Sequence, residues 1–375
     1  MTPPPPRDPI HLPTSPHASA PSRSTRYCSS CPKLCRYACP VADSTQNERF
    51  TPWGKQTEWE RVQTGRAPLD PERARTFYAC ADCRGSRTAC HHEIEVAKDL
   101  FQARETAVRF GVIDPAPDAL QRFLKTGNIW GRSRPLSPSP HPEPSPAWTL
   151  FPGCEFDCEP GGEWLASWKR VAGQLDIGWN RLSDESISCG GYPLLALGYG
   201  DAFRSHQQRI RQALSGCERL LVACPACRPI VQDLAAPDCQ VRSPFELLQP
   251  RLPSSICGQE QTTITYHDPC HLGRGAGIYD SPRELIRSLF GETSLIELYE
   301  HGEESRCCGG GGALPATFPR TAHHLLQVRK DQVRDTGASI LATACPTCRR
   351  RFSHGSSGLP ALDLVELVDR ALNSS

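Results

Sequence analysis

The sequence has no run of about 20 apolar residues, the length a membrane-spanning helix needs. Its first residues, Met1-Thr2-Pro3-Pro4-Pro5-Pro6, carry neither a basic start nor an apolar core. No secretory leader is therefore expected, and the cytoplasm is the expected compartment. Neither sign of charge is in excess: the net charge is +1 and the pI about 7.5. That balance excludes the basic footprint of a nucleic-acid binder. Nucleotide-phosphate loops are missing as well. The run Gly309-Gly310-Gly311-Gly312 follows cysteines and not a strand, and it is not GxGxxG. Without a flavin or nicotinamide fingerprint, any substrate chemistry must come from another chain or happen at a metal. Methionine occurs once and arginine far outnumbers lysine, which reflects genome composition more than chemistry.

Cysteine is what the sequence has in excess, with 20 in 375 residues. In a reducing compartment so many thiols point to metal binding before disulfides. The densest group is Cys307-Cys308 before the four glycines. Glycine lets the backbone bend and approach a bulky object closely. Cys270 stands upstream in Tyr266-His267-Asp268-Pro269-Cys270-His271, and Cys345-Pro346-Thr347-Cys348 lies downstream. Five thiolates exceed the demand of one tetrahedral ion. Zinc remains the alternative, because thiolates suit both zinc and iron–sulfur centres.

Two further groups lie near the start. Cys28-x2-Cys31-x3-Cys35-x3-Cys39-Pro40 follows the bacterial ferredoxin run with one extra residue between its second and third cysteines. Cys80-x2-Cys83-x2-Ser86-x3-Cys90-His91 repeats the template with serine in third place and histidine where proline belongs. If fourth cysteines cross over, one cluster takes Cys28, Cys31, Cys35 and Cys90. The other takes Cys39, Cys80 and Cys83 and lacks a thiolate. Serine is a hard donor that ionises poorly. Three outcomes stay open: a three-iron cluster, a four-iron cluster with Ser86, His91 or water on the odd iron, or a lost cluster. His91 and His92 read more simply as a surface pair before a helix.

Residues 1–24 are rich in Pro and Ser and read as a disordered tail. Apolar residues at helical spacing predict a helix over 93–110, and a second is expected over 117–125. These and the first two cysteine groups make a small all-α domain over 25–131. Residues 132–146 form a Pro- and Ser-rich linker. From Trp148 the pattern becomes α/β. Strands are expected at 148–151, 219–223, 263–266 and 338–343. Helices are expected at 162–174, from 188 to about 215, at 281–290, 314–335 and 360–372. Matching cysteines recur at separations of 116 (Cys154 and Cys270), 119 (Cys189 and Cys308) and 121 residues (Cys224 and Cys345). Two equivalent lobes, 147–258 and 259–375, follow. The fold class is therefore α+β and multidomain: an all-α N-terminal domain and two pseudo-repeated α/β lobes.

Ligands of open α/β sheets gather beyond the carboxyl ends of strands. A CxxC between strand and helix also sits at a helix N-terminus, where the dipole is expected to lower thiol pKa. The first lobe offers Cys154, Cys189, Cys224 and Cys227 as metal ligands, with Ser188 where its twin has Cys307. Its centre should differ in type or be absent. Cys158 might be thought a substitute, but packing explains it better, and Cys217, Cys239 and Cys257 fall outside every pattern.

This combination resembles the CCG-domain iron–sulfur oxidoreductases. These include the iron–sulfur subunits of glycolate oxidase, lactate oxidation systems and anaerobic glycerol-3-phosphate dehydrogenase, and the disulfide-reducing subunit of heterodisulfide reductase. The resemblance covers about residues 25–355. It implies a ferredoxin-like N-terminal domain with one or two [4Fe–4S] clusters, or a [3Fe–4S] cluster at the Cys80/Cys83 site. It also implies a noncubane [4Fe–4S] cluster in the second lobe, on Cys270, Cys307, Cys308, Cys345 and Cys348. The implied function is an electron-transfer subunit. Its donor is a flavoprotein dehydrogenase acting on a 2-hydroxy acid or glycerol-3-phosphate, and its acceptor is quinone, a membrane subunit or another carrier. Peripheral attachment at the inner membrane face is compatible with that role. The alternative is a disulfide reductase acting at the second lobe. Cys307, Cys308 and His271 are then catalytic candidates, and His267, Asp268 and His271 could supply protons.

Overall fold

A computed structural model describes residues 25, 27–28, 31, 34–132, 147–157, 162–182, 184, 187–253, 262–353 and 359–373. The Pro-rich tail, most of the expected linker, Cys158 and Cys257 lie outside the described residues. The chain forms two compact units. One comprises Met1–Pro117, Pro193–Asp201 and Gly309–Leu325, and the other Asp118–Tyr192, Ala202–Cys308 and Leu326–Ser375.

Helices are the regular elements of the N-terminal part of the first unit among its described residues. Helix Pro52–Gln63 starts at Thr51, whose hydroxyl accepts from Gly54 N at 2.9 Å. Helix Pro71–Phe77 starts at Asp70, whose carboxylate accepts from Arg73 N at 2.8 Å. In each the cap precedes a proline in the first turn, where a missing N–H is no loss. With helix Val96–Arg109 they bury Trp59, Val62, Leu69, Phe77, Leu100 and Ala103. The two later segments of this unit dock on that bundle. Tyr78 donates to Leu197 O at 2.8 Å, and Phe318 meets Phe50 edge-on with ring centroids 5.4 Å apart.

The second unit holds two four-stranded sheets, all parallel. The first is ordered β2-β1-β3-β4, with β1 Trp148–Phe151, β2 Trp179–Arg181, β3 Arg219–Val222 and β4 Gln240–Arg242. The second repeats it as β6-β5-β7-β8, with β5 Ile264–His267, β6 Leu295–Ile296, β7 Ile340–Thr343 and β8 Ala361–Asp363. The central strands lie where the apolar runs put them. The edge strands were not expected, and β8 takes the first residues of the anticipated last helix, which is Leu364–Asn373. The helix expected from 188 is broken into Tyr192–Leu197 and Gly200–Ala213, with Gly198 between them at φ +86°.

Helices Glu163–Gln174 and Leu364–Asn373 pack together between the sheets in one shared apolar core. Trp164 stacks on Phe156 at 4.5 Å and donates from Nε1 to Asp363 Oδ1 at 2.8 Å. Burial pushes the Asp363 carboxyl up to about 7, against the hydrogen bond from Trp164. Its folded value lies above the unfolded one, near 3.9. The folded state therefore keeps this proton longer, and stability falls as pH rises from about 4 to about 7. Above that window the charged, buried group costs a constant amount. Asp363→Asn should raise stability by about 2–4 kcal/mol at pH 8 and by much less at pH 4, measured by thermal unfolding at both.

Candidate metal centres

In each sheet the first connection leaves the central pair on one side and the later strands lie on the other. The switch points fall between β1 and β3 and between β5 and β7. Cys154 and Cys224 follow β1 and β3, and Cys270 and Cys345 follow β5 and β7. Crevices at such points are where α/β sheets bind ligands. His267 and Thr343 are register partners at the ends of β5 and β7, and Thr343 Oγ1 donates to His267 O at 3.0 Å.

At the second switch point Cys308 Sγ lies 3.4 Å from Cys348 Sγ. These two sulfurs and a His267 ring nitrogen all fall within 4.8 Å of one another, and all three residues are buried. Cys307 hydrogen-bonds to Cys308, and Cys345 to Cys348, so four thiols form one connected group. Cys270 stands half-buried in the turn three residues after His267. The hydrogen bonds from Cys307 and Cys348, followed by the Arg351 guanidinium, hold Cys308 well below the ordinary thiol range. Cys348 is pushed well above that range, by its hydrogen bonds with Cys308 and Cys345 and then by burial. Arg351 also donates to Cys308 O at 2.8 Å.

Two of the flanking polar residues have fixed roles. Asp268 is clamped by Arg283, with Nη1 to Oδ1 at 2.7 Å and Nη2 to Oδ2 at 2.9 Å, and it accepts from Gly302 N at 2.8 Å. That makes it a turn-holding carboxylate and not a proton source. Arg329 Nε donates to His267 Nδ1 at 3.1 Å. Burial, and then Arg329, push the His267 imidazole well below its ordinary value. It is therefore neutral, with its proton on Nε2. His271, the catalytic candidate, meets the Tyr192 ring edge-on at 5.1 Å.

The first lobe gathers four buried thiols. Cys154 bonds to Cys189, Cys189 to Cys227, and Cys227 to Cys224. Glycines make the approach feasible: a Cβ on Gly153 or Gly190 would stand 2.6 Å from Cys224 Cβ or 2.9 Å from Cys227 Cβ. Ser188, the residue in place of a fifth thiol, accepts from Asn128 Nδ2 at 3.3 Å. All four thiols are raised. For Cys189, Cys224 and Cys227 the neighbouring thiol is the main cause, followed by burial. For Cys154 the bond to Cys189 lowers the value, but burial and its neighbours outweigh it. Glu155 adds to the rise of Cys154 and Cys224. The two lobes thus differ in sign: a guanidinium serves the second set and a carboxylate the first. At Cys224, Cys227 and Cys348 the expected helix-dipole lowering does not prevail, because burial and crowding of like groups are larger effects.

In the N-terminal segment Cys28 is pushed up to about 12, by burial first and then by Cys35, Cys90 and Cys31. Cys35 is pushed up to about 11 by burial, then by Cys39 and Cys31. Cys28, Cys31, Cys35 and Cys90 are therefore neighbours. Gly85 brings Cys83 against the chain at Ala38: a Cβ on it would lie 2.9 Å from Ala38 O and 3.7 Å from Cys83 Sγ. The loop Cys80–Arg84 carries two non-glycine residues in the left-handed region, Asp82 at φ +51° and Arg84 at φ +59°. Asp82 N donates to Cys80 Sγ at 3.4 Å. Ser86 is half-buried, and its side chain makes no hydrogen bond among the described residues. His91 and His92 are exposed and touch each other. Cys217 and Cys239 are half-buried neighbours on the flank of the first sheet.

Residues 148–231 and 264–353 each match the family model described as CCG, cysteine-rich domain. The chain carries two copies of the CCG cysteine-rich domain, which together with its relatives support a CCG-domain iron–sulfur oxidoreductase family. This CCG protein is 31% identical over 224 residues to a subunit of the dihydromethanophenazine:CoB–CoM heterodisulfide reductase of Methanosarcina barkeri, over 55% of this chain and 54% of that one. It is 25% identical over 312 residues to a subunit of the CoM/CoB fumarate reductase of Methanothermobacter marburgensis, over 79% of this chain and 61% of that one. The chain thus spans between half and two thirds of the length of these relatives. A hypothetical protein from Helicobacter pylori shares the fold, with a TM-score of 0.58 at 10% identity, over 91% of this chain and 72% of that one. Iron–sulfur clusters fit the CCG protein's residues: in each lobe buried thiols are grouped, joined in the second by the His267 ring, and Arg351 stands beside Cys308 there. Among the described residues no helix is long and apolar enough to cross a membrane.

Proposed function

We propose that this chain is the iron–sulfur electron-transfer subunit of a larger oxidoreductase. It receives electrons from a flavoprotein dehydrogenase subunit that oxidises a 2-hydroxy acid or glycerol-3-phosphate, and it delivers them to quinone or another carrier. The observation that carries this reading is the grouping of thiols into separate sites along one chain. Iron–sulfur clusters, when bound, supply one-electron transfer without substrate chemistry. The N-terminal cysteines would hold [4Fe–4S] centres in a ferredoxin-like domain. The second lobe would hold a noncubane one on Cys270, Cys307, Cys308, Cys345 and Cys348. This chain's residues keep those sites dry and set their charge.

A second reading is favoured by one contact. His267, neutral and fixed by Arg329, stands beside Cys308 and Cys348. An imidazole N–H there could hydrogen-bond a substrate sulfur, as a disulfide reductase requires.

The test is anaerobic preparation followed by iron, acid-labile sulfide and zinc analysis and EPR during stepwise reduction. Iron with sulfide, and reduction by a co-purifying flavoprotein with its substrate, is the expected result. Zinc without sulfide overturns the reading. Reduction of small disulfides by dithionite-reduced methyl viologen, lost in His267→Ala, would favour the second reading over the first.

A further inference from the structure

Two cations are buried beside the Cys80 loop, each held by backbone carbonyls. Lys55 is 1% exposed, and its Nζ donates to Ala79 O at 2.6 Å. Arg104 is fully buried. Its Nε donates to Phe77 O at 2.9 Å, its Nη1 to Ala196 O at 2.7 Å and Gly312 O at 2.9 Å, and its Nη2 to Cys80 O at 3.4 Å. The Tyr78 and Phe101 rings flank the guanidinium at 5.0 and 5.3 Å. Among the described residues no carboxylate forms an ion pair with either cation.

Carbonyls satisfy the N–H groups, but they do not neutralise the charge. A buried cation without a counter-ion is among the most costly arrangements in a protein. Two of them beside one loop require a negative partner. Both act on Cys80, whose thiol burial raises while Lys55 and Arg104 lower it. Asp82 opposes them there. The left-handed backbone at Asp82 and Arg84 already aims an amide at the Cys80 sulfur. The neighbouring site has the opposite field. Cys28 is raised in part by the buried Asp99 carboxylate, which accepts from Gln56 Nε2 at 2.7 Å.

We infer that Lys55 and Arg104 are the counter-charge of an anionic iron–sulfur cluster held by Cys39, Cys80 and Cys83, and that they make this site the more easily reduced of the two N-terminal sites. The missing thiolate therefore does not mean a lost cluster. The inference rests on the iron–sulfur reading proposed above. Reduction adds negative charge, which nearby cations favour and the Asp99 carboxylate disfavours. One thiolate fewer at the Cys80 site, with Ser86 close by, acts in the same direction.

The experiment is an EPR-monitored redox titration of the full chain, prepared anaerobically and poised with dithionite and ferricyanide. Cys80→Ser identifies the signal of this site by abolishing it and removing its share of iron and sulfide. Lys55→Met should lower the midpoint of that signal alone by a tenfold change in the reduction equilibrium or more, about 59 mV for one electron. Lys55→Arg should hold it near the wild-type value, and Asp99→Asn should raise the midpoint of the other N-terminal signal. Loss of the Cys80 signal in Lys55→Met, with the rest of the iron kept and Lys55→Arg normal, shows the charge is needed to hold the anion and supports the same conclusion. An unmoved midpoint in Lys55→Met, loss of the signal in both Lys55 variants, or no effect of Cys80→Ser on iron or signals overturns it. Failure of the iron–sulfur reading itself would show in the wild-type protein, as absent sulfide, before any variant is compared.

Discussion

Cys308→Ser is expected to empty the second lobe of iron while leaving the fold intact. Cys308 is the sulfur on which its site converges: Cys307 and Cys348 both hydrogen-bond with it, and Arg351 stands beside it. Its thiol is held well below the ordinary range, and the thiolate is the metal-binding form. Serine fits the same space, so the buried neighbours stay packed and circular dichroism should be unchanged. Its hydroxyl ionises poorly and offers a hard oxygen in place of a soft sulfur. The loss of affinity should exceed the roughly 10–100-fold typical of changes to residues behind the ligands. Iron and sulfide should fall by the share of that lobe, its EPR signal should vanish, and the N-terminal signals should persist. Unchanged metal content would show that the four grouped thiols are a packing cluster only.

The same site shows which parts of the molecule spacing reveals. The repeat of cysteines at nearly constant separation predicts two equivalent lobes, and the two sheets have the same strand order. That repeat is legible because each lobe must bring the same strand ends to one point. The edge strands were missed because they are two or three residues long and carry little apolar character, as in Gln240-Val241-Arg242. Helices Pro52–Gln63 and Pro71–Phe77 had readable starts, Thr51-Pro52 and Asp70-Pro71, but apolar spacing alone did not mark them. The electrostatics were out of reach. Arg104 sits on an amphipathic helix, where an arginine ordinarily faces solvent, and only the tertiary fold turns it inward. Lys55 and Arg329 likewise reach their sites from helices distant in sequence, and Arg351, three residues after Cys348, reaches Cys308. Ser86 and Ser188 look alike as lost cysteines. The structure separates them, since Ser188 is engaged by Asn128 and Ser86 has no hydrogen bond among the described residues.

Gly312→Ala is expected to be a strongly damaging single methyl. The glycine run after the vicinal pair reads as a permit for sharp bending, but its last residue is also a docking point. Gly312 has φ +60°, and a Cβ on it would stand 2.1 Å from Cys80 O and 2.8 Å from the Ala81 carbonyl carbon. These are backbone atoms of the loop that carries Cys80, so no side-chain rotation relieves the overlap. Arg104, which ties Gly312 O to the same loop, would be displaced with it. The left-handed backbone alone costs an alanine about 1 kcal/mol. Overpacking against fixed atoms adds about 1–3 kcal/mol. Gly277→Ala is the matched control, because it has φ +72° and nothing within 4 Å of the new Cβ. It should carry the backbone cost only. Gly312→Ala should therefore melt several degrees below Gly277→Ala and lose the EPR signal assigned through Cys80→Ser. Equal melting temperatures and an unchanged signal would mean that the glycine run bends freely and holds nothing. The close seat of Gly312 on the Cys80 loop instead makes the shape of one cysteine group depend on the segment that follows another.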